Sequence, residues 1–260
     1  MDPAHIAALL EPFLNRPLLP TQLDQISTYI DLLLRWNTRI NLTAIRDPEQ
    51  IVPRHFGESL FMARHLFPAG TIRTGDARTE GAPITAPYAM SGNSIPAEDC
   101  LEFEARGSKL IHVVDLGSGA GFPALPIKIW APHIHLTMIE SNQKKATFLR
   151  EVSRTLTLTN VDVIPDRAES VAARLPSPAG AAKPEHEDKD TFQPAEVVTF
   201  RAVERFNQIL PTAKRFLAPN ARLAVLITEA QLKQLEALIP INWSTEHVPW
   251  SCNGLLAIGR

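Results

Sequence analysis

Cysteine is nearly absent from these 260 residues. Cys100 and Cys252 stand far apart and outside any C-x-x-C spacing, so neither a disulfide framework nor a thiolate metal centre can be built from them. No stretch approaches the roughly 18 uninterrupted apolar residues that a membrane-spanning helix needs. The opening MDPAHIAALLEPF has no basic flank of the kind that starts a secretion signal. The expected compartment is therefore the cytoplasm, with no membrane partner. Excess positive charge is missing too: the formal net charge is −2, unpromising at first sight for a partner rich in phosphate. What remains, with 45% hydrophobic and 21% charged residues, is the composition of an ordinary globular protein. The length suits one α/β domain with a small accessory piece.

The charge is unevenly spread. Residues 71–108 hold three arginines against six acids, and residues 176–195 hold two lysines against four, so the rest of the chain is net +3. Both segments are rich in Pro, Gly, Ala and Ser and lack apolar periodicity, which marks them as flexible inserts. They divide the chain into an N-terminal helical unit over 1–67, an insert over 68–109, and a second domain over 110–260 interrupted by the insert 176–195.

In the first unit Leu23, Ile26, Ile30, Leu33 and Leu34 recur at the spacing of one helix face. The tetrapeptide DPEQ then announces another helix: Asp47 can cap, Pro48 suits the first helical position, and Gln50 sits where a capping box returns its hydrogen bond. Ile51, Phe56, Leu60 and Phe61 supply the apolar side of that helix. From Leu110 the rhythm becomes strands alternating with helices: IHVVDL, IHLTMIE, VDVI, EVVTF and ARLAVLI, each followed by a helical stretch, then WSTEHV and GLLAIG with no room for a helix between them. The pattern predicts an α/β fold with a mainly parallel, seven-stranded, Rossmann-like sheet, its last two strands pairing as an antiparallel hairpin.

The turn after the first strand reads VVDLGSGAGFPALPIKIW over 113–130. In such sheets ligands bind beyond the carboxyl ends of the strands, and Gly117, Gly119 and Gly121 line that end. A dinucleotide loop spaces its glycines G-x-G-x-x-G, but Phe122 occupies the last position, so a nicotinamide cofactor is disfavoured. The carboxylate of Asp115, two residues before the loop, would repel a pyrophosphate and attract an ammonium or sulfonium group. S-adenosyl-L-methionine carries both cations and no phosphate. Glu140, closing the second strand, is placed to accept from ribose hydroxyls.

Four stretches carry a family resemblance: LLLRWNTRINLTAIRDPEQIVPRHFGESL, VVDLGSGAGFPALPI, ESNQKKATFLREVSRTLTLTNVDVIPDRAES and VTFRAVE. Together they resemble the RsmG (GidB) family of bacterial methyltransferases, which modify N7 of a guanine in 16S ribosomal RNA. The resemblance implies a class I methyltransferase fold, S-adenosyl-L-methionine as cofactor, and the small ribosomal subunit or its RNA as partner. It also implies that Gly117 and Phe122 contact the cofactor, that Ala168 and Glu169 flank its adenine, and that Arg201 closes the pocket after the fourth strand. The chain departs from the family pattern at Glu58, where aspartate is usual, at Ala124, where glycine is usual, at Asn220-Ala221 in place of a glycine-rich turn, and at Ile227-Thr228 in place of a Lys-Gly pair. The two inserts are further departures.

Guanine N7 presents an exposed lone pair, so no proton has to leave before it reacts and no catalytic base is expected. Alignment is the whole task. Because the A-form major groove is narrow, the target should be a looped or opened nucleotide. The RNA backbone would be gripped by cations, with Arg54, His55, Lys144, Lys145, Arg150 and Arg167 as candidates; no metal site is expected, and the protein is expected to act as a monomer. Two other readings stay open: a ribosome-assembly factor that keeps the fold without turnover, and an NAD-dependent oxidoreductase.

Overall fold

A computed structural model describes residues 1–68, 110–175, 192–201 and 206–260. The flexibility expected of the two inserts falls almost wholly outside these residues. Phe192, counted in the second insert from its composition, is an exception: its ring packs edge-on against Phe216 at 5.5 Å and near His112 at 5.7 Å, so the fold resumes a few residues earlier than the sequence pattern indicates.

The N-terminal part is helical: α1 (Pro3–Leu10), a 3₁₀ turn (Glu11–Phe13), α2 (Pro20–Asn37), then α3 (Pro48–Ile51), a π-helical turn (Val52–Gly57) and α4 (Glu58–Leu66), the last three running on without a break. Two of the three signals in DPEQ hold: Asp47 caps α3, its carboxylate accepting from the Glu49 N–H at 3.0 Å, and Pro48 takes the first helical position, whereas no return bond from Gln50 closes a capping box among the described residues. On α2 the buried stripe Ile26, Tyr29, Ile30 and Leu33 follows the expected helical period, with Tyr29 added to it.

The sheet contains β1 (His112–Leu116), β2 (His135–Ile139), β3 (Val161–Ile164), β4 (Ala195–Arg201), β5 (Leu217–Thr228), β6 (Trp243–His247) and β7 (Gly254–Gly259). Their order is β3-β2-β1-β4-β5-β7-β6. The first five pair in parallel and β7 runs antiparallel to both β5 and β6. The crossover helices are α5 (Ala124–Trp130), α6 (Gln143–Thr155), α7 (Ala168–Ala172), α8 (Phe206–Phe216) and α9 (Glu229–Leu238). Strand order reverses between β1 and β4, which places the carboxyl end of β1 beside the ligand crevice of an open α/β sheet.

Two apolar clusters cover the sheet. One joins α1, α2, α4, α5 and α6 to one face through Ile6, Tyr29, Leu60, Leu125 and Phe148. The other gathers α7, α8 and α9 on the opposite face through Val171, Leu210, Phe216 and Leu235. Residues Met1–Ala69 and Ile111–Arg260 form one compact unit. The N-terminal helices therefore share a core with the sheet. No helix among the described residues is long and apolar enough to cross a membrane.

Candidate cofactor and substrate site

The loop after β1 closes tightly over the end of β2. The N–H groups of Gly117 and Ser118 both donate to the Ile139 carbonyl, at 2.8 and 3.2 Å, and that of Gly121 donates back to the Ser118 carbonyl. Positive φ at Gly117, Gly119 and Gly121 gives the turn its shape. At Gly121, with φ +90°, a Cβ would run into the Tyr29 hydroxyl and sit 2.6 Å from Leu125, so glycine is required there by space as well as by conformation.

Two carboxylates flank this turn. Asp115 is fully buried; its Oδ1 accepts from the Thr199 hydroxyl at 2.7 Å, while Oδ2 has no hydrogen-bond partner among the described residues. Burial pushes its carboxyl up to about 7, opposed by the nearby Ser118 and Thr199 hydroxyls and reinforced by Glu140. Glu140 is a brace: Oε2 accepts from the Gly119 N–H at 2.8 Å and Oε1 from the Asn142 N–H at 2.7 Å. Each oxygen still has a lone pair to offer.

Beside the loop lies a cavity of about 330 Å³ whose wall includes Gly117, Ser141, Arg167, Ala168, Glu169 and Ile209. Here the structure brings together Gly117, from the loop after β1, with Ala168 and Glu169 at the start of α7. Arg167, assigned to RNA from the sequence, shares this wall. Phe122 lies on the far side of the loop, its ring parallel to Tyr29 at 5.3 Å, stacked on His55 at 4.8 Å and edge-on to Phe56 at 5.1 Å. Tyr29 also donates its hydroxyl to the Ala120 carbonyl, so α2 clasps the loop from behind. Thr199, Tyr29, Asp166 and Ile209 had no local signal in the sequence. Thr199, Tyr29 and Ile209 act on the site from distant strands and helices, and Asp166 from the turn just before Arg167.

Arg201, at the end of β4, faces a second, smaller cavity of about 190 Å³ that also takes in Arg54, Glu58, Ile227 and Thr228. Its Nη2 donates to the Arg54 carbonyl at 2.7 Å and forms an ion pair with the Glu58 carboxylate at the same distance, while Nη1 has no hydrogen-bond partner among the described residues. Arg54 reaches the other oxygen of Glu58 at 3.2 Å. Burial raises the Glu58 carboxyl, with Arg201 and Arg54 pulling it back down.

One expectation needs correcting. His55 cannot grip phosphate as a cation: burial, with Arg201 and Arg54 nearby, lowers its pKa to about 3, and its Nε2 is engaged at 2.7 Å with the Thr43 hydroxyl. Neutral His55 is a stacking partner of Phe122. Of the remaining cations, Arg54, Lys144 and Arg150 are exposed and Lys145 is half-buried. Arg150 bonds the Val163 carbonyl at 3.0 Å, tying its guanidinium to β3. Among the described residues no cluster of His, Cys, Asp or Glu could hold a metal ion.

A seven-stranded sheet of this order, with a glycine turn after β1 and a carboxylate at the end of β2, defines a class I methyltransferase. More narrowly, the chain belongs to the GidB family, described as rRNA small subunit methyltransferase G, whose profile matches residues 22–72 and 93–248. A ribosomal RNA small subunit methyltransferase G from Chloroflexus aggregans is 34% identical over 207 residues, covering 80% of this chain and 64% of that protein. Its counterpart from Bacillus subtilis is 29% identical over 218 residues, covering 84% of this chain and 69% of that one. The match thus spans about two thirds of the length of these relatives. Among solved structures, a ribosomal protein L11 methylase from Lactobacillus delbrueckii subsp. bulgaricus aligns with a TM-score of 0.43 at 16% identity, covering 62% of this chain and 75% of that one.

Proposed function

We propose that this protein transfers a methyl group from S-adenosyl-L-methionine to N7 of a guanine in 16S ribosomal RNA, acting as a monomer on the RNA or the small subunit. One observation carries the cofactor assignment: the buried Asp115 holds an unpartnered carboxylate oxygen under a glycine loop braced by a second carboxylate, Glu140. An orphaned anion in that position is costly alone and is satisfied by a cation. A pyrophosphate would worsen it, which argues against a dinucleotide.

The residues present fit the group. Asp115 would balance its positive charge, the spare lone pairs of Glu140 would take its ribose hydroxyls, and Glu169, on the cavity wall, would accept from its adenine amine. The cofactor would supply an electrophilic methyl carbon. The protein's part is to fix that carbon against an incoming base and to keep water away, a contribution of up to about 7–11 kcal/mol where alignment is good. Because N7 carries no proton, none of the protein's groups has to act as a base. The phosphate backbone of the RNA would meet Arg54, Lys144, Lys145 and Arg150.

Calorimetry tests the pocket. Gly117→Arg and Glu140→Ala should each reduce cofactor affinity by about a hundredfold or more, as expected when charge-assisted hydrogen bonds are lost or the loop is blocked; unchanged affinity in both would refute it. The non-catalytic alternative draws support from Ile227-Thr228, which line the second cavity where the family resemblance places a Lys-Gly pair. Labelled cofactor with small subunits lacking the modification separates the two: methyl incorporated at guanine N7 eliminates the assembly-factor reading.

A further inference from the structure

The second cavity is lined by groups that suit a flat heterocycle better than a phosphate. Leu226, Val248 and Leu255 give it apolar walls, and Arg54, Glu58 and Arg201 meet in one polar cluster on its lining. A phosphate subsite would not place a carboxylate among its donors, nor face aliphatic side chains. A nucleobase needs both an apolar surface for its faces and mixed polar groups at its edge.

We propose that this cavity receives the target guanine by its Watson–Crick edge, with Glu58 reading N1–H and the N2 amine and the free Nη1 of Arg201 donating to O6. The inference rests on the proposed RNA methyl transfer and names the subsite that chooses the base. Each Glu58 oxygen is ion-paired with one arginine nitrogen in the structure, at 3.2 Å from Arg54 and 2.7 Å from Arg201. An ionised carboxylate has about four acceptor positions, so two remain for two parallel donors. Arg201 has a side chain only 14% exposed and a guanidinium nitrogen with no partner among the described residues. An unsatisfied buried donor is costly until an acceptor arrives, and O6 is such an acceptor.

The pattern selects. Guanine offers two adjacent donors beside an acceptor, whereas the corresponding edge of adenine offers one donor beside a bare ring nitrogen. Reading guanine on this edge also leaves N7, on the adjoining Hoogsteen edge, unbonded and free to face the methyl donor. A base held so cannot be paired, so the subsite itself demands an unpaired or everted nucleotide. Positioned by the same ion pairs, the π-helical turn that carries Arg54 would then serve the substrate. Such turns recur at functional sites.

The test uses the full chain saturated with S-adenosylhomocysteine, so that the first cavity is filled, and titrates guanosine 5′-monophosphate against inosine 5′-monophosphate, which lacks only the N2 amine. Guanylate should bind about tenfold or more tighter than inosinate, the size expected for losing one hydrogen bond to a charged acceptor. Glu58→Gln should erase that preference while leaving the affinity for S-adenosylhomocysteine unchanged. Asn253→Leu, which intrudes from a separate wall, should weaken both nucleotides equally. Equal binding of the two nucleotides by the native protein, no binding of either, or a preference that survives Glu58→Gln overturns the subsite. Failure to bind S-adenosylhomocysteine at all would instead bring down the methyltransferase reading on which it rests.

Discussion

The two faces of the sheet treat the ligand crevice differently. On the face covered by α2, the π-helical turn and α5, aromatic rings converge on the back of the glycine loop: Tyr29, His55 and Phe56 around Phe122. On the face covered by α7 and α8, small and aliphatic groups, Ala168 and Ile209, border the larger cavity. One face holds the loop still and the other leaves room for a ligand. The buried residues of the N-terminal helical unit make it the back wall of the sheet domain rather than a separate appendage.

Within the loop itself the contrast is sharp enough to break. Gly121 points its missing side chain at the rigid face, where a Cβ would meet the Tyr29 hydroxyl, Leu125 at 2.6 Å and Leu149 at 3.1 Å with φ at +90°. Gly119, with φ +55°, would meet nothing nearer than the Gly117 carbonyl at 3.8 Å. Gly121→Ala should therefore combine conformational strain with overpacking and cost about 3–4 kcal/mol. Gly119→Ala should incur the strain alone, about 1–2 kcal/mol. Urea unfolding midpoints compare the two, and equal losses would contradict the one-sided support of the loop.

Next in size is the clasp. Tyr29→Phe keeps the ring stack on Phe122 and removes only the hydroxyl that bonds the Ala120 carbonyl. Leaving that carbonyl unsatisfied should cost about 1–3 kcal/mol of stability. If the loop owes its shape to α2, cofactor affinity should fall with it, while an equivalent truncation on the other face, Ile209→Val, should spare the loop.

How much of this could be read from the chain depends on range. The strands and the crossover helices follow from periodicity, because alternation between apolar runs and helical stripes is local. The glycine turn and the two carboxylates at strand ends are local too, so Asp115 and Glu140 could be placed before any fold was seen. Tyr29 and Ala120 lie 91 residues apart and Arg201 and Arg54 lie 147 apart, and no spacing rule joins them. His55 misled for the same reason: a histidine beside an arginine reads as basic until burial and its neighbours are known. Phe192 shows the converse, since one aromatic ring anchored by Phe216 outweighs a disorder-like composition around it.

The buried acid at the front of the loop titrates in a direction that distinguishes it from an exposed carboxylate. Without ligand Asp115 has a pKa of about 7, against about 3.9 in the unfolded chain. Between those values the folded state holds the extra proton, so this group's contribution to ligand-free stability declines as pH rises from about 4 to 7. Cofactor binding runs the other way. A cation favours ionised Asp115, and affinity should climb roughly tenfold from pH 6 to pH 8, following the ionised fraction, and level off above that. Calorimetry across this range checks the slope, and Asp115→Asn should both weaken binding and flatten the profile. A profile unaltered by that substitution would assign the pH dependence to another group.

The smallest effect expected lies on α6, which reproduces the contrast on a single helix. Ala146, Phe148 and Leu149 face inward while Lys144 and Arg150 are exposed. Arg150 is tied to the Val163 carbonyl, whereas the N–H bond that Lys144 makes to the Asn142 cap is a backbone one, which leaves its ammonium available to a phosphate. Lys144→Ala should leave folding and cofactor affinity unchanged, weaken RNA binding only a few-fold, and lower the salt dependence of that binding by about one counterion. A filter-binding titration at several salt concentrations reads that slope directly. An unchanged slope would move the RNA path off this face of α6 and toward the side of the sheet where Arg54 stands.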